Sequence, residues 1–196
     1  MLYISVVLAY NKKVFFILIL LFTPERNSTM KDSYLVTFWS PFALKGLHFC
    51  TAYFSNLLNK FGNIHCLDCQ NHSDKKTVRL LHQSDLVIIG LPQNRAQLND
   101  YFCYPPHCFT NVIYLLLDYF SEESLNRTVI SHDYRIPRSR LALIPYNARL
   151  KEAQRLGHSN RYLDFLNSNL AYEEYIDFQK ELKRDVKLCM QALELE

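Results

Sequence analysis

The chain has 196 residues, 49% of them apolar, a net charge of +3 and only 4 glycines. That length suits one ordinary domain, and the apolar share is enough for a core, which excludes a disordered chain. Charges of both signs are spread along the sequence without a basic stripe, so composition offers no argument for nucleic-acid binding, and four glycines are few for a backbone that cradles phosphate.

The chain begins with two apolar runs, "LYISVVLAY" and "VFFILILLF" (residues 14–22), separated by Asn11, Lys12 and Lys13. The second run is well short of the roughly 20 residues needed to cross a bilayer, and joining the two would bury both lysines in lipid. A dispensable extension, a membrane or signal segment and a packed element are the three readings. Met30 then opens "MKDSYLVTFW", the start of a cytosolic α/β domain. The expected organisation is a hydrophobic extension over residues 1–29 and one domain over 30–196.

From Met30 the pattern alternates. A strand is expected over Tyr34–Trp39, then a helix with apolar positions Leu47, Cys50, Phe54, Leu57, Leu58 and Phe61, stopped at Gly62. A short strand over 63–67 and a helix over 74–83 follow. "DLVIIGL" (85–91) reads as a buried strand ended by Pro92, residues 96–102 as a helix, and "NVIYLLLDYF" (111–120) and "RLALIPYN" (140–147) as buried strands, the last stopped by Pro145. "ARLKEAQRLG" reads as a helix closed by Gly157. The tail carries a helical stripe of Tyr175, Phe178, Leu182, Val186, Cys189 and Leu193. Continuous apolar strands with helices between them predict a three-layer α/β sandwich with a mostly parallel sheet.

Such sheets bind ligands beyond the carboxyl ends of their strands. Four exits lie there: "WSPFALKG", "LDCQNH", "GLPQN" and "IPYNARLKEA". In order and spacing, "LVTFWSP" before a helix, "LPQN" after a buried strand and "IPYN" after the last strand make the chain from Leu35 onward resemble a divergent, truncated group of P-loop proteins related to the ParA/MinD partition ATPases, found in Firmicutes and their mobile elements. The resemblance implies a phosphate half at Ser40, Pro41, Lys45, Gly46 and Thr51 and a base half at Pro145 and Asn147. It also implies ATP with Mg²⁺ as the ancestral ligands and partition or partner binding, with a possible homodimer, as the ancestral role.

This sequence departs from that pattern. Bulky residues fill the loop's glycine positions, His48 and Phe49 stand where hydroxyls are expected, and Lys45-Gly46 reverses the Gly-Lys order. Cβ atoms at those positions hinder a backbone nest around phosphate. No clear acid remains to order Mg²⁺; Asp68 reads as a remnant or as a solvated turn residue. Asn147 reads as a base contact or as the cap of the next helix. The expectation is a weak or inactive relative with feeble ATP binding.

The rival reading is a non-enzymatic interaction module, with a structural zinc held by Cys66 and Cys69 (C-x₂-C) and Cys103 and Cys108 (C-x₄-C). The first pair also suits a redox site, and ordinary free thiols in a reducing cytoplasm suit all six cysteines. Arg127, Arg135, Arg138 and Arg140 read as a solvated face, or as a contact for phosphate or an acidic partner. Membrane association depends on the N-terminal run alone.

Overall fold

Five apolar segments bounded by turn residues form strands, and helices cover both their faces. In the computed structural model the strands are β1 (Tyr34–Trp39), β2 (Ile64–Asp68), β3 (Leu86–Pro92), β4 (Val112–Tyr119) and β5 (Leu141–Pro145). The helices are α1 (Leu47–Leu58), α2 (Lys75–Gln83), α3 (Arg95–Cys103), α4 (Arg127–Asp133), α5 (Ala148–Arg155), α6 (Ser159–Asn167) and α7 (Glu173–Ala192). The structure describes residues 31–106, 109–167 and 173–195, and the expectations for residues 1–29 lie outside them. The sheet and its helices belong to one unit, Asp32–Glu196.

All strand pairs are parallel, in the order β2-β1-β3-β4-β5. Alternate strand residues point to opposite faces. Val36, Phe38, Leu86, Ile88, Ile113 and Leu115 join the core under α1, α5, α6 and α7. Trp39, Val87, Ile89, Leu91, Leu116 and Leu143 join the core under α2, α3 and α4. The expected three-layer α/β sandwich is therefore present, and its sheet is parallel throughout.

Asx caps set where four helices begin. Asp74, Asn94, Asn126 and Asn147 precede α2, α3, α4 and α5, and each side chain accepts backbone N–H groups of the first turn. Such caps contribute about 1 kcal/mol each. The final Asn of both "LPQN" and "IPYN" is thereby explained. The cap at Asn126 also turns part of the expected basic loop into α4 and a 3₁₀ turn at Arg138–Arg140. Two of its arginines are engaged within the fold, while Arg135 and Arg138 are exposed. Arg127 Nη2 donates to the carbonyls of Arg138 and Leu141, and Arg140 donates to Asn111 Oδ1.

The outer edge of β5 is closed by side chains. Asp185 of α7 is completely buried, and its Oδ2 accepts the Leu143 N–H at 3.0 Å. Burial holds this carboxyl well above the usual carboxylate range, with Arg184 partly opposing the shift. The folded chain therefore holds the proton more tightly than the unfolded one. Stability from this group is full below about pH 4 and declines as pH rises through the raised value. Asp185→Asn, which keeps an acceptor for Leu143, is expected to flatten the fall in Tm with rising pH. Asp185→Ala is expected to cost about 1–3 kcal/mol by orphaning that N–H. A Tm series across acidic and neutral pH checks both; an Asn variant that still tracks the wild-type slope would exclude Asp185 as its source.

Candidate functional site

β1 lies between β2 and β3, so the chain winds away from it on both sides, and a crevice opens at the carboxyl ends of the strands. The loop between β1 and α1 stands in that crevice. Ala43, Leu44 and Lys45 form a wall shared by two cavities of about 450 Å³ each. One is lined by His48, Asp68, Gln70, Gln154 and Ser159, the other by Gln93, Asp118, Phe120, Glu123 and Lys151.

The loop turns its polar groups inward. Ser40 is fully buried; its N–H donates to the Gln70 carbonyl at 2.8 Å, and its Oγ accepts the Phe42 N–H at 3.0 Å. The Leu44 N–H donates to Phe42 O, and the Leu47 N–H donates to Leu44 O. Pro41 is half-buried beside them. Gly46 is the N-cap residue of α1 in right-handed conformation, with no side-chain cap bond. One turn on, buried Thr51 donates its hydroxyl to the Leu47 carbonyl at 3.1 Å. Of the phosphate-half residues, Lys45 and Gly46 reach the cavities, while the hydroxyls of Ser40 and Thr51 are taken up inside the fold.

Two acids at these strand exits, Asp68 and Asp118, each face a basic side chain. Asp68 lies 3.0 Å from His48 Nδ1, and its other oxygen accepts the Gln70 N–H. Asp118 pairs with Lys151 of α5. It sits at an irregularity in the β4–β5 register with φ of +57°, left-handed backbone that a non-glycine residue adopts only under constraint. The twenty-residue spacing of His48 and Asp68 gave no sign of their pairing; α1 running back along β2 creates it.

An exposed aromatic pair stands at the second cavity, which Phe120 lines. Phe120 and Tyr146 stack with ring centroids 4.7 Å apart and 22° between planes, at 43% and 45% exposure. Gln93 holds the backbone that carries the first ring: its Oε1 accepts the Phe120 N–H, and its Nε2 donates to the carbonyls of Phe120 and Leu125. The Tyr146 N–H donates to the Tyr119 carbonyl. The two sequence motifs thus meet here, Gln93 of "LPQN" holding Phe120 against Tyr146 of "IPYN". Pro145 ends β5, and Asn147 Oδ1 accepts both the Leu150 N–H and the Tyr162 hydroxyl. In the base half the exposed aromatic lies between the two residues that the resemblance nominates.

Among the described residues no three His, Cys, Asp or Glu side chains gather as a metal site would need, and Cys108 lies outside those residues. Burial raises the Cys66 and Cys69 thiols to about 11, and the two pack into different cores, Cys66 against the one under α1 and Cys69 in the one under α2. Among the described residues no helix is long and apolar enough to cross a membrane. No protein-family model matches the sequence, and no curated protein matches it.

Proposed function

We propose that the chain is a degenerate relative of the ParA/MinD-type P-loop proteins, acting in the cytoplasm, whose strand-end crevice takes a nucleoside-class ligand weakly and turns over no phosphate. The observation that carries this reading is the inward-turned loop between β1 and α1. A phosphate loop needs amides aimed at the ligand and a hydroxyl for Mg²⁺. Here the Ser40, Phe42, Leu44 and Leu47 amides and the Ser40 and Thr51 hydroxyls are bonded within the fold. Asp68, the remaining candidate to order a metal, is paired with His48. These residues do not fit Mg²⁺-ATP. The ligand half that persists is the aromatic rim of Phe120 and Tyr146 above Lys45 and Gln93.

The test is phosphate release from ATP with and without Mg²⁺. No release above the protein-free rate is expected. Mg²⁺-dependent release that Lys45→Ala abolishes would show a working phosphate loop and overturn the reading. A second reading, a non-enzymatic interaction module, is favoured by the outer edge of β2, beyond which no strand lies among the described residues.

A further inference from the structure

The two margins of the sheet are finished differently. At β5, the residues whose backbone points outward are bonded to side chains, Leu143 N–H to Asp185 and Leu141 O to Arg127. At the other margin, β2 pairs with β1 in unbroken register from Tyr34↔Ile64 to Phe38↔Asp68, and among the described residues no strand lies beyond it. The Asn63 carbonyl and the Cys69 N–H bond to β1, so the backbone groups of Ile64, Cys66 and Asp68 face outward. Unpaired edges are usually guarded by lysine, proline or a bulge. The segment "IHCLD" has none of these, and it exposes His65 and, at 41%, Leu67.

We propose that the β2 edge is a self-association site, where a second copy of this chain adds its own β2 antiparallel across a two-fold axis at Cys66. Three observations favour a second copy over another partner. Antiparallel pairing about Cys66 sets Ile64 opposite Asp68 and His65 opposite Leu67, so no like charges face one another, and the exposed Leu67 is covered. It also sets α1, which packs beside β2, antiparallel to its counterpart, matching the positive end of one helix dipole with the negative end of the other. Finally, exposed Lys60, just past the carboxyl end of α1, comes to the side of the partner strand that ends in Asp68. Three hydrogen-bonded pairs give about six new backbone bonds and one continuous sheet through both copies.

The test uses the full chain. Sedimentation over a range of concentrations is expected to show a monomer–dimer equilibrium. Hydrogen exchange is expected to show protection at Ile64, Cys66 and Asp68 that grows with concentration. Leu67→Lys, on the exposed side of the strand, is expected to give a monomer with unchanged circular dichroism. Thiol oxidation is expected to cross-link the wild type through Cys66, and Cys66→Ser to remove that link. A chain that remains monomeric at every concentration overturns the proposal, as does a dimer that survives Leu67→Lys with no added protection along β2. β2 amides protected at every concentration in a monomer would mean that another segment of the same chain covers the edge, which also overturns it. None of these outcomes bears on phosphate release, so this proposal and the nucleotide reading stand or fall separately.

Discussion

Titration calorimetry of the full chain is expected to give ATP binding no tighter than about millimolar, with adenosine bound about as well as ATP. In an intact phosphate loop, charge-assisted hydrogen bonds to the phosphates are each roughly twice as strong as neutral ones. In the β1–α1 segment the Ser40, Phe42, Leu44 and Leu47 amides are bonded instead to Gln70 O, Ser40 Oγ, Phe42 O and Leu44 O. Losing several such bonds costs several kcal/mol, and every 1.4 kcal/mol is about tenfold in affinity. What remains is stacking on the Phe120–Tyr146 rim, worth about 1–3 kcal/mol for a base on an aromatic ring. That term is indifferent to phosphate, which is why adenosine should match ATP. Tyr146→Ala is expected to remove detectable binding of both, whereas Lys45→Ala should leave adenosine binding unchanged. Micromolar ATP binding that adenosine cannot match would mean that the loop opens to cradle phosphate. Weak adenosine binding that survives Tyr146→Ala would place the ligand elsewhere.

The architecture was legible because its signals are local. Short, β-branched apolar runs ended by proline, such as "DLVIIGL", read as strands buried on both faces, and the strands at Leu86–Pro92 and Leu141–Pro145 lie within a residue or two of the expected bounds. Helices were harder to place. α4 holds a single arginine, Arg127, which the sequence groups with Arg135, Arg138 and Arg140 as a basic loop, and the decisive feature is the cap at Asn126. α6, unexpected from the sequence, contributes Tyr162, Leu163 and Leu166 to the core. The site was legible as a set of strand exits but not as a set of contacts. Gln93 and Phe120 are 27 residues apart, and Lys151 and Asp118 33 apart. No period or spacing rule links such pairs; only the parallel order of β3, β4 and β5 brings them together. "LPQN" and "IPYN" stood out as strings, whereas their meeting at one rim is a property of the sheet.

Gly90→Val is expected to destabilise the domain by about 2–3 kcal/mol, through the loop between β1 and α1. Gly90 lies in β3, with β1 on one side and β4 on the other. A Cβ there would stand 2.9 Å from Leu47 Cδ1, 3.5 Å from Leu44 Cδ1 and 3.6 Å from Ser40 Cβ. All three neighbours belong to the β1–α1 loop and the first residue of α1, so the missing side chain is what lets that segment settle on the sheet. An alanine needs only the end of one leucine to give way, and it gains back part of the roughly 0.5–1 kcal/mol that glycine costs inside a strand, so Gly90→Ala should be mild. Valine adds two further methyl groups against buried Ser40 and Leu47, where no flexible end is left to yield. A loss of 2–3 kcal/mol corresponds to a fall in Tm of about 4–12 °C for a domain of this size. Gly62→Ala is the matched control: nothing lies within 4 Å of its added carbon, and its effect should stay within about 0.5 kcal/mol. Hydrogen exchange should show the damage beginning in the loop, with the Leu44 and Leu47 amides losing protection in Gly90→Val before those of β3. A valine variant as stable as the wild type, or one that loosens β3 first, would show that Gly90 does not set the seating of the loop.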